Sequence, residues 1–328
     1  MKFYFMKIFA LHSSTGFGEL VAKELNTALS KHEEREFEDG EHKCRSLENV
    51  RNEDVFVIQS LYSDEKQSVN DKLCRLLFFI GSLKDASAKT VTAVVPYLCY
   101  TRKDRKTKPR DPVTTRYIAK LFEAAGTDRV ITIDVHNIQA FQNSFRCPTE
   151  NLEAKKIFAD HLVKLVANED TVIVSPDVGG IKRAEQFQQS LQKRMKKIIP
   201  LAFMEKYRSS GVVSGEALVG DVKDKTVIII DDLISTGTTI VRAAAACKKG
   251  EANKTLALAT HGIFTGKPDE VFQEDALQQI IITNTIQHFR LENTRVKQKV
   301  TILNVAALFA EAIKRMYEGG SVTALMED

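Results

Sequence analysis

The chain has 328 residues, 43% of them hydrophobic and 27% charged, with a formal net charge of +4. That length is enough for two domains of common size whose cores need no covalent staples. So mild an excess of cations does not by itself argue for nucleic-acid or membrane binding. No apolar run reaches the length of a membrane span, and five scattered cysteines without a CxxC pair argue against a disulfide or zinc framework.

The opening MKFYFMKIFALHSS imitates a leader peptide, but Lys7 interrupts its apolar stretch and no small-x-small cleavage site follows. Lys7–Leu11 is therefore expected to be a strand. Further strands are predicted at Val55–Gln59, Thr90–Val95, Arg129–Asp134, Thr171–Ser175, Thr226–Asp231, Thr255–Thr260 and Gln279–Thr283. These are nearly continuous apolar runs, which suits parallel strands covered on both faces. Between them, Val113–Ala125 places Ile118, Leu121, Phe122 and Ala125 on one side and stops at Gly126, as a helix would. Leu152–Ala167 and Thr239–Lys249 show the same period, and Val300–Glu318 is expected to be a last helix packing back on the first half. Strand–helix alternation of this kind gives parallel α/β sheets, with a boundary expected near Arg146-Cys147-Pro148.

Several segments after predicted strands carry chemistry. Tyr100–Pro112 concentrates Arg102, Lys103, Arg105, Lys106, Lys108 and Arg110. Only Tyr100 is aromatic there, so a base-stacking surface for single-stranded nucleic acid is not supported, and a polyphosphate suits the cations better. Val130–His136 ends in Asp134 and His136, either structural or ligand-binding at the sheet edge. Ser175–Phe187 joins Asp177 to Gly179-Gly180, then Lys182 and Arg183, a grouping suited to metal and phosphate. Phe203–Gly215, with Lys206 and Arg208 followed by serines and glycines, is expected to be a mobile loop; the alternative is a surface hairpin.

Val227–Ile240 is the most informative stretch. Four aliphatic residues run into Asp231 and Asp232, then Ser235, Thr236, Gly237, Thr238 and Thr239, then a helical pattern. Ligands of open parallel sheets sit beyond the carboxyl ends of the strands. Paired carboxylates there can accept hydrogen bonds from vicinal hydroxyls. A hydroxyl-rich turn with a glycine, leading into a helix N-terminus, suits a phosphate. Together they describe a receptor for a sugar phosphate, against the plainer reading of a threonine that merely caps a helix.

FEDGE (Phe37–Glu41), NDKL (Asn70–Leu73), YTRKDRK, DVH, SPDVGG, EKYR, DDLISTGTT, THGIF (Thr260–Phe264) and TNTI occur in that order along the chain. In this combination the sequence resembles the ribose-phosphate diphosphokinase family. The resemblance implies an α/β fold of two similar phosphoribosyltransferase-type domains, each with a central, mainly parallel sheet flanked by helices. Residues 1–147, completed by a C-terminal helix at 300–318, would form one domain. Residues 148–299, holding the ribose 5-phosphate loop, would form the other.

The reaction implied is attack of the ribose 1-hydroxyl on the β-phosphorus of Mg2+-bound ATP, giving phosphoribosyl pyrophosphate and AMP. Phe37, Asp39 and Glu41 map to adenine contacts supplied by a neighbouring subunit. Arg102, Lys103 and Asp104 map to the ATP-binding loop, and Arg183 to a position near the nucleotide. His136 and Asp177 map to the Mg2+–ATP site, and Lys206 and Arg208 to stabilisation of the transition state. Asp231 and Asp232 would hold the ribose 2- and 3-hydroxyls, and Ser235 to Thr239 the 5-phosphate. A cytoplasmic homo-oligomer, dimer or hexamer, with no nucleic-acid or membrane partner, is implied as well. The sequence departs from the family pattern at Lys103 (usually glutamine), Tyr207 (usually basic), Ser235 (often an acid) and Thr238. The competing readings are a catalytically silent regulatory subunit of the same family, a phosphoribosyltransferase, and an RNA-binding protein.

Overall fold

The computed structural model describes residues 6–209, 212–273, 275–292 and 294–327. The chain divides into two compact units. The first extends to Glu153 and takes up Val305–Glu327; the second is Ala154–Asn304.

The first unit contains β1 (Lys7–Ala10), α1 (Thr15–Glu24), β2 (His32–Glu36), β3 (His42–Ser46), β4 (Asp54–Ile58), α2 (Val69–Asp85), β5 (Thr90–Val94), α3 (Thr114–Ala124), β6 (Arg129–Ile133), α4 (Ile138–Ser144) and β7 (Thr149–Leu152). Its main sheet has the order β1-β4-β5-β6-β7 with every pairing parallel. The last four residues of β4, β5 and β6 are all buried, which is why these strands read as unbroken apolar runs. Because β7 pairs with β6, the first sheet continues past Cys147. β2 and β3 form a separate antiparallel hairpin.

At the start of α2, NDKL has an architectural role. Ser68 and Asp71 close a reciprocal capping box. The fully buried Lys72 pairs with Asp64 at 2.6 Å and lies 3.7 Å from the centre of the Tyr62 ring.

The second unit contains α5 (Lys155–Val166), β8 (Thr171–Ser175), α6 (Ile181–Met195), β9 (Leu201–Ser209), β10 (Val212–Val219), β11 (Thr226–Ile234), α7 (Thr238–Lys249), β12 (Lys254–Gly262), α8 (Pro268–Val271), β13 (Gln279–Thr283) and β14 (Val300–Leu303). Its sheet has the order β10-β9-β8-β11-β12-β13-β14, parallel except for β9–β10. All eight strands predicted from apolar runs are present, within a few residues at their ends.

Two expectations are corrected. Val300–Leu303 is not helical: it pairs in parallel with β13, and the helix α9 (Ala306–Glu318) begins only after Asn304. The β-branched Val300, Thr301 and Ile302 favour an edge strand over a first helical turn. α9 packs on α1 as expected, with the Phe17 and Phe309 rings edge to face at 5.4 Å. Within Phe203–Gly215, the residues up to Ser209 and from Val212 lie in β9 and β10, which pair Glu216 with Lys206 and Val213 with Arg208, so the hairpin alternative describes them and the open loop does not; Ser210 and Gly211 lie outside the described residues.

Candidate active site

The second unit gathers its acidic and phosphate-type elements at the carboxyl ends of β8 and β11. Ser175 closes β8 and donates from Oγ to the carbonyl of Asp177 at 2.7 Å. Asp177 accepts the Gly180 N–H at 2.9 Å, which sets the turn into α6. A Cβ at Gly180 would lie 2.7 Å from Ser175 Oγ, so this turn has no room for a side chain. One turn into α6, Arg183 Nη1 reaches Asp231 Oδ1 at 3.1 Å and Asp232 Oδ1 at 3.2 Å.

Asp231 and Asp232 stand near the end of β11. Asp232 is only 2% exposed, and its N–H donates to Asp231 Oδ1 at 2.9 Å. Burial, then the neighbouring Asp232 carboxylate, raise the Asp231 pKa well above the usual carboxylate range, with Arg183 opposing them. Burial and the adjacent carboxylate thus disfavour a second negative charge on the pair, and the Arg183 guanidinium works against that.

Beyond β11 the chain turns through Ser235 to Thr239. Gly237 is the N-cap of α7, with φ of +91° and no side-chain cap. This rules out the reading in which Thr238 or Thr239 caps the helix. Gly237 offers no side chain to the first N–H groups of α7; the Thr238 N–H reaches Thr236 Oγ1 only at 3.5 Å, at the positive end of the helix dipole, an arrangement that suits anions. Thr236, Thr238 and Thr239 are exposed there, with the Thr236 and Thr238 hydroxyls 3.1 Å apart.

THGIF and TNTI support this turn from within the core. His261 Nδ1 bonds to Thr285 Oγ1 at 2.9 Å, and the Thr283 and Thr285 hydroxyls both donate to the Thr260 carbonyl, at 2.7 and 3.2 Å. The Thr265 N–H donates to the Ser235 carbonyl at 2.9 Å, tying the turn to the segment after β12. In the sequence these motifs carry the family resemblance but no role of their own. Alternating small polar residues at the ends of apolar strands were the available signal for a buried polar scaffold.

The first unit carries the basic loop and the histidine. After β5, Lys103 Nζ donates to Asp111 Oδ2 at 2.5 Å and to Thr107 Oγ1 at 2.8 Å. The same carboxylate oxygen accepts the N–H groups of Thr107 and Lys108. Lys103, then Thr107 and the backbone, hold the Asp111 carboxyl far below its ordinary range. Lys103 thus braces the loop, Asp104 accepts from Asn137 Nδ2 at 2.5 Å, and Arg102 is exposed. His136 is exposed just past β6, after Asp134, whose φ is +44°. Phe37, Asp39 and Glu41 are all exposed at the turn between β2 and β3, with the Arg35 guanidinium 5.3 Å from the centre of the Phe37 ring.

Within the second unit, the structure brings together Asp231, Asp232, Arg183 and the start of the Ser235–Thr239 turn. Lys206 and Arg208 lie on the backbone of β9, and His136 belongs to the first unit.

A sequence model of the N-terminal domain of ribose phosphate pyrophosphokinase matches residues 6–126, and one of the phosphoribosyl synthetase-associated domain matches residues 214–327. A ribose-phosphate pyrophosphokinase of Thermotoga maritima is 38% identical over 323 residues, covering 98% of both chains. The chain belongs to the ribose-phosphate pyrophosphokinase family. Another member, from Clostridium perfringens, is 39% identical over 98% of both chains. The crystal structure of phosphoribosylpyrophosphate synthetase from Mycobacterium smegmatis superposes with a TM-score of 0.88 at 34% identity, over 97% of this chain and all of that one. The expected fold class, two phosphoribosyltransferase-type units built on mainly parallel sheets, is the one found in this pyrophosphokinase-family chain. No described helix is long and apolar enough to cross a membrane.

Proposed function

We propose that this chain transfers the β,γ-diphosphoryl group of ATP to the 1-hydroxyl of ribose 5-phosphate, releasing phosphoribosyl pyrophosphate and AMP. The observation that carries this reading is the juxtaposition on β11 and α7 of a buried aspartate pair and a helix N-terminus with no side-chain cap. Asp231 and Asp232 accept from the ribose 2- and 3-hydroxyls, and the Ser235–Thr239 turn takes the 5-phosphate through hydroxyls and N–H groups. In the first unit, Arg102 takes the nucleotide phosphates. Lys103 and Asp104 contribute by holding the loop, through Asp111 and Asn137.

The available donors fit Mg2+. This ion keeps several waters and takes one or two carboxylates plus substrate phosphates, so it needs no cage of protein ligands. Asp177 and His136 are the residues that would take part in holding the Mg2+–ATP complex. Bound, it supplies charge neutralisation at the phosphoryl oxygens. Lys206 and Arg208 meet the charge that grows on the β-phosphoryl oxygens as AMP leaves, while Arg183 holds the aspartate pair in register. The sugar hydroxyl is the nucleophile, so no protein nucleophile is required.

The exposed Phe37, Asp39 and Glu41 at the hairpin turn suit adenine contacts to a second copy, so the working form is a homo-oligomer, dimer or hexamer. Five free cysteines suit the reducing cytoplasm.

Purified protein incubated with ATP, Mg2+ and ribose 5-phosphate is expected to form AMP and phosphoribosyl pyrophosphate in equal amounts. Absence of AMP with intact binding of both substrates would establish the silent regulatory subunit instead. Consumption of phosphoribosyl pyrophosphate with a free base would establish a phosphoribosyltransferase.

A further inference from the structure

Among the described residues, His12, His32 and Glu34 form a cluster in which one ligand atom of each lies within 4.8 Å of the others. All three belong to the first unit and none has a part in the proposed reaction. His12 follows β1, and His32 and Glu34 stand two apart on β2, so the pleat sets them on one face of the hairpin. Glu34 Oε1 is 3.0 Å from His32 Nε2 and 3.7 Å from His12 Nδ1. Zinc with imidazole and carboxylate ligands at ~2.0–2.2 Å in a tetrahedron places neighbouring donors about 3.4 Å apart. The observed spacings bracket that value.

Surroundings and access also match a ligand site. The Glu34 side chain is 4% exposed and the His32 side chain 8%, whereas His12 is 60% exposed, so the cluster is walled on one side and reachable from solvent on the other. The His32 ring is fixed edge-on to Phe9 at 6.2 Å and against Phe79 at 5.6 Å. Arg75 approaches the other carboxylate oxygen, Oε2, at 3.9 Å and is itself paired with Glu36 at 3.3 Å. Oε1 faces the two imidazoles and also accepts the His12 backbone N–H at 2.5 Å. Two imidazoles and one carboxylate suit zinc better than magnesium.

We propose that His12 Nδ1, His32 Nε2 and Glu34 Oε1 form a zinc site, with water completing the tetrahedron. The ion would tie the β2–β3 hairpin, whose turn carries Phe37 to Glu41, to the segment joining β1 and α1.

The full-length protein, stripped with a chelator and held in excess Mg2+, would be titrated with Zn2+ by calorimetry and with Co2+ by visible absorption. Wild type is expected to bind one Zn2+ and to give tetrahedral Co2+ bands. His12→Ala removes an exposed side chain, so its metal-free melting temperature should match wild type. Its zinc affinity should fall by more than the ~10–100-fold that loss of an outer-shell partner costs, with the Co2+ bands gone. Glu34→Gln, a near-isosteric change, should do the same. No zinc binding by wild type, or unchanged affinity and bands in both variants, would overturn the site.

Discussion

Gly237 and Phe272 are so close that a Cβ on Gly237 would lie 2.3 Å from Phe272 Cζ. The glycine also has φ of +91°, so its lack of a side chain serves both the turn and the packing beneath it. Gly237→Ala is expected to cost about 2–4 kcal/mol from backbone strain and overpacking together. Denaturant unfolding would measure this. The KM for ribose 5-phosphate should rise while that for ATP holds. A stability equal to wild type would contradict the contact.

Asp231→Asn separates stability from function. The Asp231 pKa is raised in the folded state by burial and by Asp232, so folding is penalised where an unfolded aspartate would already be ionised. Stability from this residue is therefore highest below the ordinary carboxylate range. It falls as pH climbs through the raised value and then levels off. The asparagine variant should melt higher than wild type at neutral pH, with the gap closing under acid, and should bind ribose 5-phosphate more weakly. Thermal melts across pH check the sign; a variant that melts lower at neutral pH would contradict it.

Asp232→Ala should weaken ribose 5-phosphate while sparing ATP. Equal loss of both in binding titrations would count against a sugar contact.

Lys206→Ala is expected to lower turnover by ~10²–10³-fold with little change in ATP affinity, because a contact made in the transition state is lost. Steady-state assays alongside nucleotide binding decide this, and unchanged turnover would refute the role.

Lys72 and Asp64 test a buried ion pair. Asp64→Ala removes the carboxylate 2.6 Å from a fully buried ammonium and should cost about 3–5 kcal/mol, whereas Lys72→Met should be close to neutral. Equal costs in denaturant unfolding would show that the lysine stem, not its charge, matters.

Parallel strands such as Thr171–Ser175 and Thr226–Ile234 were legible because both faces are buried, so the sequence carries an unbroken apolar run. The β2–β3 hairpin left no such mark. HEERE and HKCRS are largely polar because little of the hairpin is buried. In the sequence Val300–Leu303 reads as part of the following helix because its apolar residues continue that helix's period; pairing with β13 distinguishes it. At the site, Asp231, Asp232 and the turn could be read because chemistry and chain order coincide there. The grip of Arg183 on both acids joins residues far apart in sequence, and no local pattern encodes it. Lys103 was legible as a cation but not as the partner of Asp111, since residue type does not say whether a charge faces a ligand or its own loop.

α9 follows the second unit in the sequence yet belongs to the first, against α1. During translation the ribosome must therefore make the entire second unit before it delivers the helix that completes the first. Until then the surface of α1 around Phe17 stays uncovered on the nascent chain. A stop codon shortly before Val305 would harm most the half of the protein that had been synthesised earliest.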